Sequence, residues 1–307
     1  KFIYLLKLLK FLDGNIIQTW LIHGDLIGGL AAKFAGFDNI IWNVRYSNLD
    51  FNKKNLLNIF FIRILVKFSF FIPKAVVVVS KSAKKNCEKI GYDKNKLILI
   101  SNGCDLLSFK PSIKQKFLFK KKYKLKKNIP ILGNVARYTP MKDHLNLVKS
   151  LSLLKSKKYK FLCILVGSNI NKGNKELLNL IKNLKLDENV KLLGNSNNIN
   201  QVMNGIDIYV QSSRYGEGFP NVVAEAMACQ TPCIVTDIGD AAYIIGKTGW
   251  VVKPNDPAML SKSIEKALLM KKKKDWKNLC SKTRNRIKKN FNLNKMINSY
   301  KRLWKLV

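Results

Sequence analysis

The sequence predicts an α/β fold with two Rossmann-like, doubly wound domains that face a cleft. Short β-branched runs alternate along the chain with longer helical patterns, which is typical of βαβ units and a parallel sheet. The four valines at 76–79 form a continuous apolar run, as expected for a strand buried on both faces. A lysine-rich segment that contains Pro111 separates two such blocks, so two domains are expected.

The first block, residues 1–110, is predicted to form the N-terminal domain. It begins inside an amphipathic helical pattern, KFIYLLKLLKFL, and the alternation follows. The predicted strands are 16–21, 40–44, 75–79 and 97–100. The predicted helices are 25–35, 54–71 and 82–90. This half is therefore expected to carry a parallel sheet with helices packed against it.

Residues 111–128 are predicted to be a linker with a short helical stretch at 114–124, and residues 129–289 to form the C-terminal domain. The strands expected there are 131–136, 161–166, 190–193, 206–210 and 233–236. The expected helices are 145–154, 176–184, 222–228, 257–270 and 275–289. A last helix within 290–307 is expected to cross back onto the N-terminal domain. Ligands of such folds bind at the carboxyl ends of the strands.

The charge of the chain first suggests a polyanionic partner. The 307 residues contain 56 Lys+Arg against 19 Asp+Glu, a formal charge of +37, and the hydrophobic fraction of 47% excludes a mostly disordered chain. However, 49 of the basic residues are Lys and only 7 are Arg, whereas base readout favours the bidentate Arg fork. No specific nucleic-acid partner is therefore expected. Most of the lysines are interpreted as a general bias of the amino-acid composition.

The cysteines and the apolar stretches bear on location. Six scattered cysteines fit a reducing cytosol, and Cys229 and Cys233 lack nearby ligands for a zinc site. No signal-peptide pattern is found, and the start within a helical pattern suggests a truncated chain. The apolar stretch 56–72 is interrupted by Arg63 and Lys67, so we expect a helix against a sheet, with a helix on a membrane surface as the alternative.

The run GEGFPNVVAEAMA, 216–228, is the first candidate site. Gly218 lets the backbone approach a ligand, and the amides around Asn221 would be helix N-terminal donors suited to a phosphate. Glu217 in the turn and Glu225 in the helix could accept hydrogen bonds from sugar hydroxyls. The alternative is that Glu217 is a surface turn residue and Glu225 a solvated helix position.

Two further loops follow predicted strands. In ARYTPMKDH, Arg137 and Lys142 could clamp a diphosphate from one strand-to-helix loop, and Asp143 is a predicted N-cap. In TWLIHGDLIGG, His23 could hydrogen-bond a sugar or an acceptor. The alternative for Arg137 and Lys142 is that they are ordinary solvated charges. The alternative for His23 is a structural hydrogen bond within the protein. Neither a Walker A motif nor a G-x-G-x-x-G motif is found.

Together these runs resemble the family-4 retaining glycosyltransferases, which have the GT-B fold and use nucleotide-sugar donors. EGFPNVVAEAMACQTPCIVTDIGD (217–240) is similar to the paired-glutamate motif of the family, and GNVARYTPMKDH (133–144) to its Arg…Lys diphosphate loop. VVVVSKSAKKN (76–86) and ISNGCDLLSFKP (100–111) resemble the end of the N-terminal domain. TWLIHGDLIGG and VRYSNLD (44–50) resemble the branch that acts in cell-surface polysaccharide or lipopolysaccharide assembly.

The resemblance implies a role for each site residue. Arg137 and Lys142 would neutralise the donor diphosphate without a metal or cofactor, Glu217 would bind the donor sugar, and Glu225 would bind the ribose. His23 would lie near the donor sugar and acceptor. The remaining donor-binding residues would be Gly133, Leu193, Gly194, Gly218, Phe219, Pro220, Asn221 and Val222.

The function implied is transfer of a sugar from a nucleotide-diphosphate sugar to a glycan or lipid-linked acceptor, with retained configuration. A cytoplasmic enzyme at the inner face of the membrane is expected, in peripheral contact with anionic lipid. The family normally begins with a further strand and Gly-rich loop, so an incomplete N-terminal domain and weak activity are expected of this chain. The alternatives are a basic polyanion- or membrane-binding protein without catalysis, and a sugar-nucleotide epimerase or phosphorylase on the same fold.

Overall fold

The computed structural model describes residues 2–45, 56–125 and 128–307, with helices and parallel strands in alternation. The strands are β1 (Ile17–Gln18), β2 (Ile40–Val44), β3 (Ala75–Val78), β4 (Leu97–Leu99), β5 (Ile131–Val135), β6 (Leu162–Val166), β7 (Val190–Leu192), β8 (Ile208–Gln211), β9 (Cys233–Thr236) and β10 (Trp250–Val252). The helices are α1 (Phe2–Lys10), α2 (Leu21–His23), α3 (Gly29–Phe34), α4 (Leu56–Phe68), α5 (Lys81–Ile90), α6 (Ile113–Lys122), α7 (His144–Ser156), α8 (Lys175–Asn183), α9 (Ile199–Gly205), α10 (Asn221–Ala228), α11 (Ala241–Ile245), α12 (Pro257–Lys271), α13 (Trp276–Asn290) and α14 (Leu293–Leu306). The predicted α/β fold with two parallel-sheet domains is confirmed.

The chain divides into two compact units. The first comprises the described residues up to Gly103 together with Glu217–Phe219 and Asn294–Val307. The second comprises Cys104–Gly216 and Pro220–Leu293. The segment 111–128, predicted as a linker, contributes α6 to the second unit, where Phe119 of that helix is fully buried.

In the first unit, β1 to β4 form a parallel sheet in sequence order. Every residue of β2 and β3 is buried, and for β3 this confirms the expectation from the continuous valine run. The last helix belongs to this unit, and its Tyr300 and Leu303 pack against Ile41 and Val77 of the sheet. That packing gives the amphipathic pattern of α14 its buried face.

The first unit differs from the sequence prediction near its first strand. The strand expected at 16–21 is limited to β1, because Leu21 adopts a left-handed conformation (φ 70°) and α2 begins there. The helix expected at 25–35 starts earlier and contains a π-helical turn, Gly24–Gly28. The predicted segments 46–50 and 54–55 lie outside the described residues.

In the second unit, six parallel strands have the order β10-β9-β8-β5-β6-β7. The chain starts in the middle at β5, builds outward to β7, then returns to the other side of β5 at β8. The connection therefore reverses direction between β5 and β8, and this switch point is where doubly wound sheets bind ligands. The strand β10 and the helices α9 and α11 were not predicted from the sequence.

Candidate functional site

The loops that follow β5 and β8 are tied together at the switch point of the second unit. The amide of Arg214 donates to the carbonyl of Met141 at 2.8 Å, and the Ser212 hydroxyl donates to the carbonyl of Lys142 at 2.9 Å. Gly216 has φ +78°, and a Cβ there would lie 2.7 Å from Met141 Sδ. The two loops that carry the predicted charged residues therefore lie side by side at the carboxyl edge of the sheet.

The loop after β5 carries the predicted basic pair. Arg137 is exposed and Lys142 is half-buried. Arg137 makes no ion pair with any described residue. Asp143 follows in a left-handed conformation (φ 48°), and its Oδ1 accepts from the amide of Asn146 at 3.1 Å. This confirms Asp143 as the N-cap of α7 and fixes the turn in which Lys142 stands.

The side chain of His144 lies beneath this loop. It is 2% exposed, its ring centroid is 5.3 Å from that of Tyr138, and both ring nitrogens lack a hydrogen-bond partner in the described structure. Burial, followed by the charge of Lys142, lowers the pKa of His144 to about 4. The imidazole is therefore neutral at pH 7, and the positive charge of the loop comes from Arg137 and Lys142.

Two glycines bring the ends of β6 and β7 close to the loop after β5. Gly167 has φ +146°, and a Cβ there would lie 2.1 Å from the carbonyl oxygen of Ala136. Its amide donates to the carbonyl of Gly194 at 2.8 Å, and Leu193, just before, donates to the carbonyl of Leu165 at 3.0 Å. The predicted residues Leu193 and Gly194 thus lie at the same carboxyl edge as Arg137. Gly167 was missed, although a glycine directly after a buried strand was the signal.

The segment from Glu217 to α10 provides the predicted acidic pair and amides. Glu217 and Phe219 are each 7% exposed, and the predicted residues Gly218, Pro220, Asn221 and Val222 lead into the helix. Pro220 occupies the N-cap and has no side-chain hydrogen bond to the helix. The Pro220 carbonyl accepts from the Val223 amide at 3.1 Å, but no side-chain oxygen of Pro220 caps the helix, whose N-terminus is suited to an anion.

Glu225 lies one turn into α10 and is half-buried. Burial raises the pKa of its carboxyl group, and no hydrogen bond or ion pair joins that group to another described residue. An unpartnered carboxylate in such a place is costly for folding and available for a ligand. This partial burial differs from the fully solvated position that the alternative expects.

Gly133 is the one predicted donor-binding residue that does not reach the carboxyl edge. It lies in the middle of β5, where a Cβ would be 2.5 Å from Ile206 Cγ2. The absence of a side chain at this position serves packing between β5 and the segment before β8.

The remaining predicted residue, His23, belongs to the first unit. It is exposed at the end of α2, immediately before the π-helical turn, and its ring centroid is 5.8 Å from that of Phe61. π-Helical turns recur at functional sites. His23 thus lies at the carboxyl edge of the first sheet, on a locally irregular helix.

A buried polar network supports that turn, and the sequence reasoning missed it. Asp25 Oδ1 accepts from the Thr19 hydroxyl at 2.7 Å and from the Asn43 amide at 3.2 Å. The Tyr300 hydroxyl donates to Asn43 Oδ1 at 3.0 Å. Burial raises the pKa of Asp25 to about 7, against the lowering effect of these donors.

Within residues 2–45, 56–125 and 128–307, no group of three or more His, Cys, Asp or Glu residues could hold a metal ion. None of the helices in those ranges has the length and apolar character needed to cross a bilayer.

Comparisons with known sequences give consistent matches. Residues 115–294, more than half of the chain, match the family described as Glycosyl transferases group 1. The chain is 28% identical to the UDP-Gal:alpha-D-GlcNAc-diphosphoundecaprenol alpha-1,3-galactosyltransferase of Escherichia coli, over 98% of this chain and 78% of that protein. It is 30% identical to the N,N'-diacetylbacillosaminyl-diphospho-undecaprenol alpha-1,3-N-acetylgalactosaminyltransferase of Campylobacter jejuni, over 77% of this chain and 62% of that one. The alignment thus spans less than two thirds of the Campylobacter enzyme.

Solved structures match over nearly the whole chain. A glycosyltransferase from Rickettsia africae has a TM-score of 0.85 at 25% identity and covers 99% of this chain and 79% of its own. Anabaena Alr3699/HepE, solved in complex with UDP, has a TM-score of 0.88 at 19% identity, over 100% of this chain and 82% of its own. At that identity the second likeness concerns the fold alone.

Proposed function

Because the chain belongs to the glycosyl transferases group 1 family and is a glycosyltransferase of the GT-B fold, we propose that it moves a sugar from a nucleotide-diphosphate sugar to a lipid-linked acceptor in polysaccharide assembly. The relatives from Escherichia coli and Campylobacter jejuni are named for transfer to diphospho-undecaprenol-linked sugars, and the first is named for UDP-Gal. A UDP-sugar is therefore the first donor to test.

One observation carries the proposal. The half-buried, unpartnered Glu225 lies on α10, whose N-terminus lacks a side-chain cap, at the switch point that also presents Arg137. A guanidinium that pairs with no described carboxylate and a helix N-terminus attract a diphosphate, and a carboxylate nearby accepts hydrogen bonds from sugar hydroxyls. A nucleotide sugar carries both kinds of group.

Each residue then has a defined task toward the donor. Arg137 and Lys142 bind the diphosphate and stabilise the charge that develops on it as it leaves. The amides of Gly218 to Val222 hold phosphate and sugar, Glu225 binds the ribose hydroxyls, and Glu217 binds the donor sugar. The backbone at Leu193 and Gly194 meets the base. Gly133 acts indirectly, by allowing close packing of β5.

The proposed reaction needs neither a metal nor a cofactor. The bond between the sugar C1 and the departing phosphate oxygen breaks, and the acceptor oxygen forms a new bond to C1 from the same face. The acceptor proton passes to the departing phosphate oxygen, so charge and atoms balance. His23 hydrogen-bonds a sugar hydroxyl of the acceptor. This route retains the configuration at C1.

The place of action follows from the acceptor class. An undecaprenyl-type acceptor is held in a membrane, so the enzyme works at the inner face of the cytoplasmic membrane, in peripheral contact with anionic lipid. The net charge of +37 favours that contact. A non-enzymatic polyanion binder would not need the arrangement around Glu225.

The test is donor binding, measured by thermal shift and calorimetry with UDP-, GDP- and ADP-sugars. One of them should raise the melting temperature, and Glu225→Gln should weaken its binding about 10-fold or more, since a hydrogen bond to a charged group contributes roughly 1.5–3 kcal/mol. Glu188→Gln is the matched control, because Glu188 is exposed before β7, at the opposite edge of the sheet. Equal affinity in the wild type and Glu225→Gln would contradict the proposal.

Transfer is tested with a lipid-diphosphate-linked N-acetylhexosamine as acceptor. The product anomer, read by NMR, decides between retention and inversion. Donor turnover without any acceptor, to an epimerised or phosphorolysed product, would favour the epimerase or phosphorylase alternative.

A further inference from the structure

Arg45 stands at the carboxyl edge of the first sheet. It follows β2 directly, and its Nη1 donates to Asn102 Oδ1 at 2.7 Å. Asn102 lies beyond the end of β4, so the guanidinium reaches across the end of β3, the strand between them. A side chain held in this way is fixed along the edge where parallel sheets bind ligands.

Arg45 forms no ion pair within the part of the chain that the structure describes. No carboxylate of a described residue lies within ion-pair distance of it, and its hydrogen-bond partner is a neutral amide. Burial raises the pKa of the Tyr300 hydroxyl, and the charge of Arg45 opposes this rise to a smaller extent. A guanidinium has five N–H donors in a planar fork, and the bond to Asn102 uses one of them.

A second feature at the same edge favours an anion. The helix α5 begins three residues after β3, and therefore between the ends of β2 and β4. Its positive dipole end points toward the carboxyl edge there, although Ser80 already caps one amide by accepting from Ala83 at 3.0 Å. The helix end and the guanidinium together give this edge a positive potential.

We propose that Arg45, oriented by Asn102, binds the diphosphate of the lipid-linked acceptor. The inference rests on the proposed function, which supplies an acceptor that carries a sugar on a prenyl diphosphate. Such an acceptor brings two negative charges into the first unit, and Arg45 offers bidentate recognition of a phosphate there. The diphosphate of the donor is a different group, assigned to Arg137 and Lys142 of the second unit.

The test is calorimetric binding of a short prenyl diphosphate to the full chain saturated with UDP, which occupies the donor site. The wild type should bind this probe, and Arg45→Gln should bind it about 10- to 100-fold more weakly because the charge-assisted bonds are lost. Arg45→Lys keeps the charge without the fork and should give an intermediate loss. Arg63→Gln, on the exposed face of α4, is the matched control and should bind as the wild type does.

The matching prenyl alcohol separates charge recognition from apolar binding. Its weaker affinity should be the same in the wild type and in Arg45→Gln. Equal diphosphate affinity in both proteins, or an equal loss for alcohol and diphosphate, would overturn the assignment. The failure of the proposed function has another signature: UDP and UDP-sugars would not bind the wild type at all. The prenyl diphosphate titration can then be run without UDP and still decides whether Arg45 binds the phosphate.

Discussion

Replacing Gly167 with alanine tests the close approach of the β5 and β6 loops. The added Cβ would lie 2.1 Å from the carbonyl oxygen of Ala136, whereas ordinary contact begins near 3.4 Å, so the two backbones must separate by about 1.3 Å. The φ of +146° is also a region that side chains rarely adopt, which costs roughly 1–3 kcal/mol. Overpacking against backbone adds about 1–3 kcal/mol. We expect a loss of about 4 kcal/mol in the free energy of unfolding.

The assay is urea unfolding followed by UDP titration of the folded variant. A domain the size of the second unit should lose roughly 10 °C in melting temperature. UDP binding should weaken as well, because the separation displaces Arg137. Gly173→Ala is the control from the same loop: its Cβ would meet only Asn171 Oδ1 at 3.1 Å, the end of a flexible side chain. A Gly167→Ala variant within about 1 kcal/mol of the wild type would refute the steric reasoning.

Three further predictions concern buried or uncapped groups. The pKa of Asp25 is raised to about 7, so the free energy of unfolding decreases as pH rises from about 4 through 7. In urea titrations at pH 8, Asp25→Asn should have a free energy of unfolding up to about 4 kcal/mol above that of the wild type. The pKa of His144 is lowered to about 4, so the free energy of unfolding decreases by about 3 kcal/mol as pH falls from 6.5 toward 4. His144→Leu should remove this pH dependence in urea titrations. An unchanged pH slope in the variant would count against a buried neutral ring. Pro220→Asp supplies a capping carboxylate to the N-terminus of α10. The melting temperature should stay the same or rise, while the affinity for UDP drops at least 10-fold. Unchanged UDP affinity would mean that the N-terminal amides of α10 do not bind phosphate.

The central strands of the second unit, β5, β6, β8 and β9, were predictable because they are almost entirely buried. Their apolar runs, such as 131–136 and 161–166, fall within one residue of β5 and β6. The N-cap at Asp143 was also readable, since local hydrogen bonding decides it. Signals that act within a few residues therefore gave both the strands and the start of α7.

The features that could not be predicted depend on contacts between distant residues. Helix α9 lies in an asparagine-rich stretch that suggests a loop, and it forms because Val202 and Met203 are buried by tertiary packing. β1 is short because the chain turns at Leu21, which no propensity indicates. The network that buries Asp25 needs Tyr300, 275 positions later in the chain, and no local pattern could reveal it.

The seven arginines show how the structure sharpens the meaning of a charge of +37. Arg284 and Arg286 donate to backbone carbonyls of the second unit, to Phe109 and Ala228 in one case and to Tyr243 and Ile244 in the other. Arg63 and Arg302 are exposed on helices.

The other three, Arg45, Arg137 and Arg214, lie just beyond the carboxyl ends of β2, β5 and β8. Lysine is abundant throughout the chain, so its positions indicate little about function. Each arginine, in contrast, either donates to backbone carbonyls, lies on an exposed helix surface or follows the end of a strand. The arginines at strand ends distinguish a protein that binds defined phosphate groups from one that binds polyanions through total charge, because total charge would be indifferent to their position. Charge reversal at the exposed Lys272 and Lys273, which follow α12 at the amino edge of the sheet, should accordingly leave nucleotide affinity nearly constant in calorimetric titrations at physiological salt, where charges more than about 8 Å away are screened.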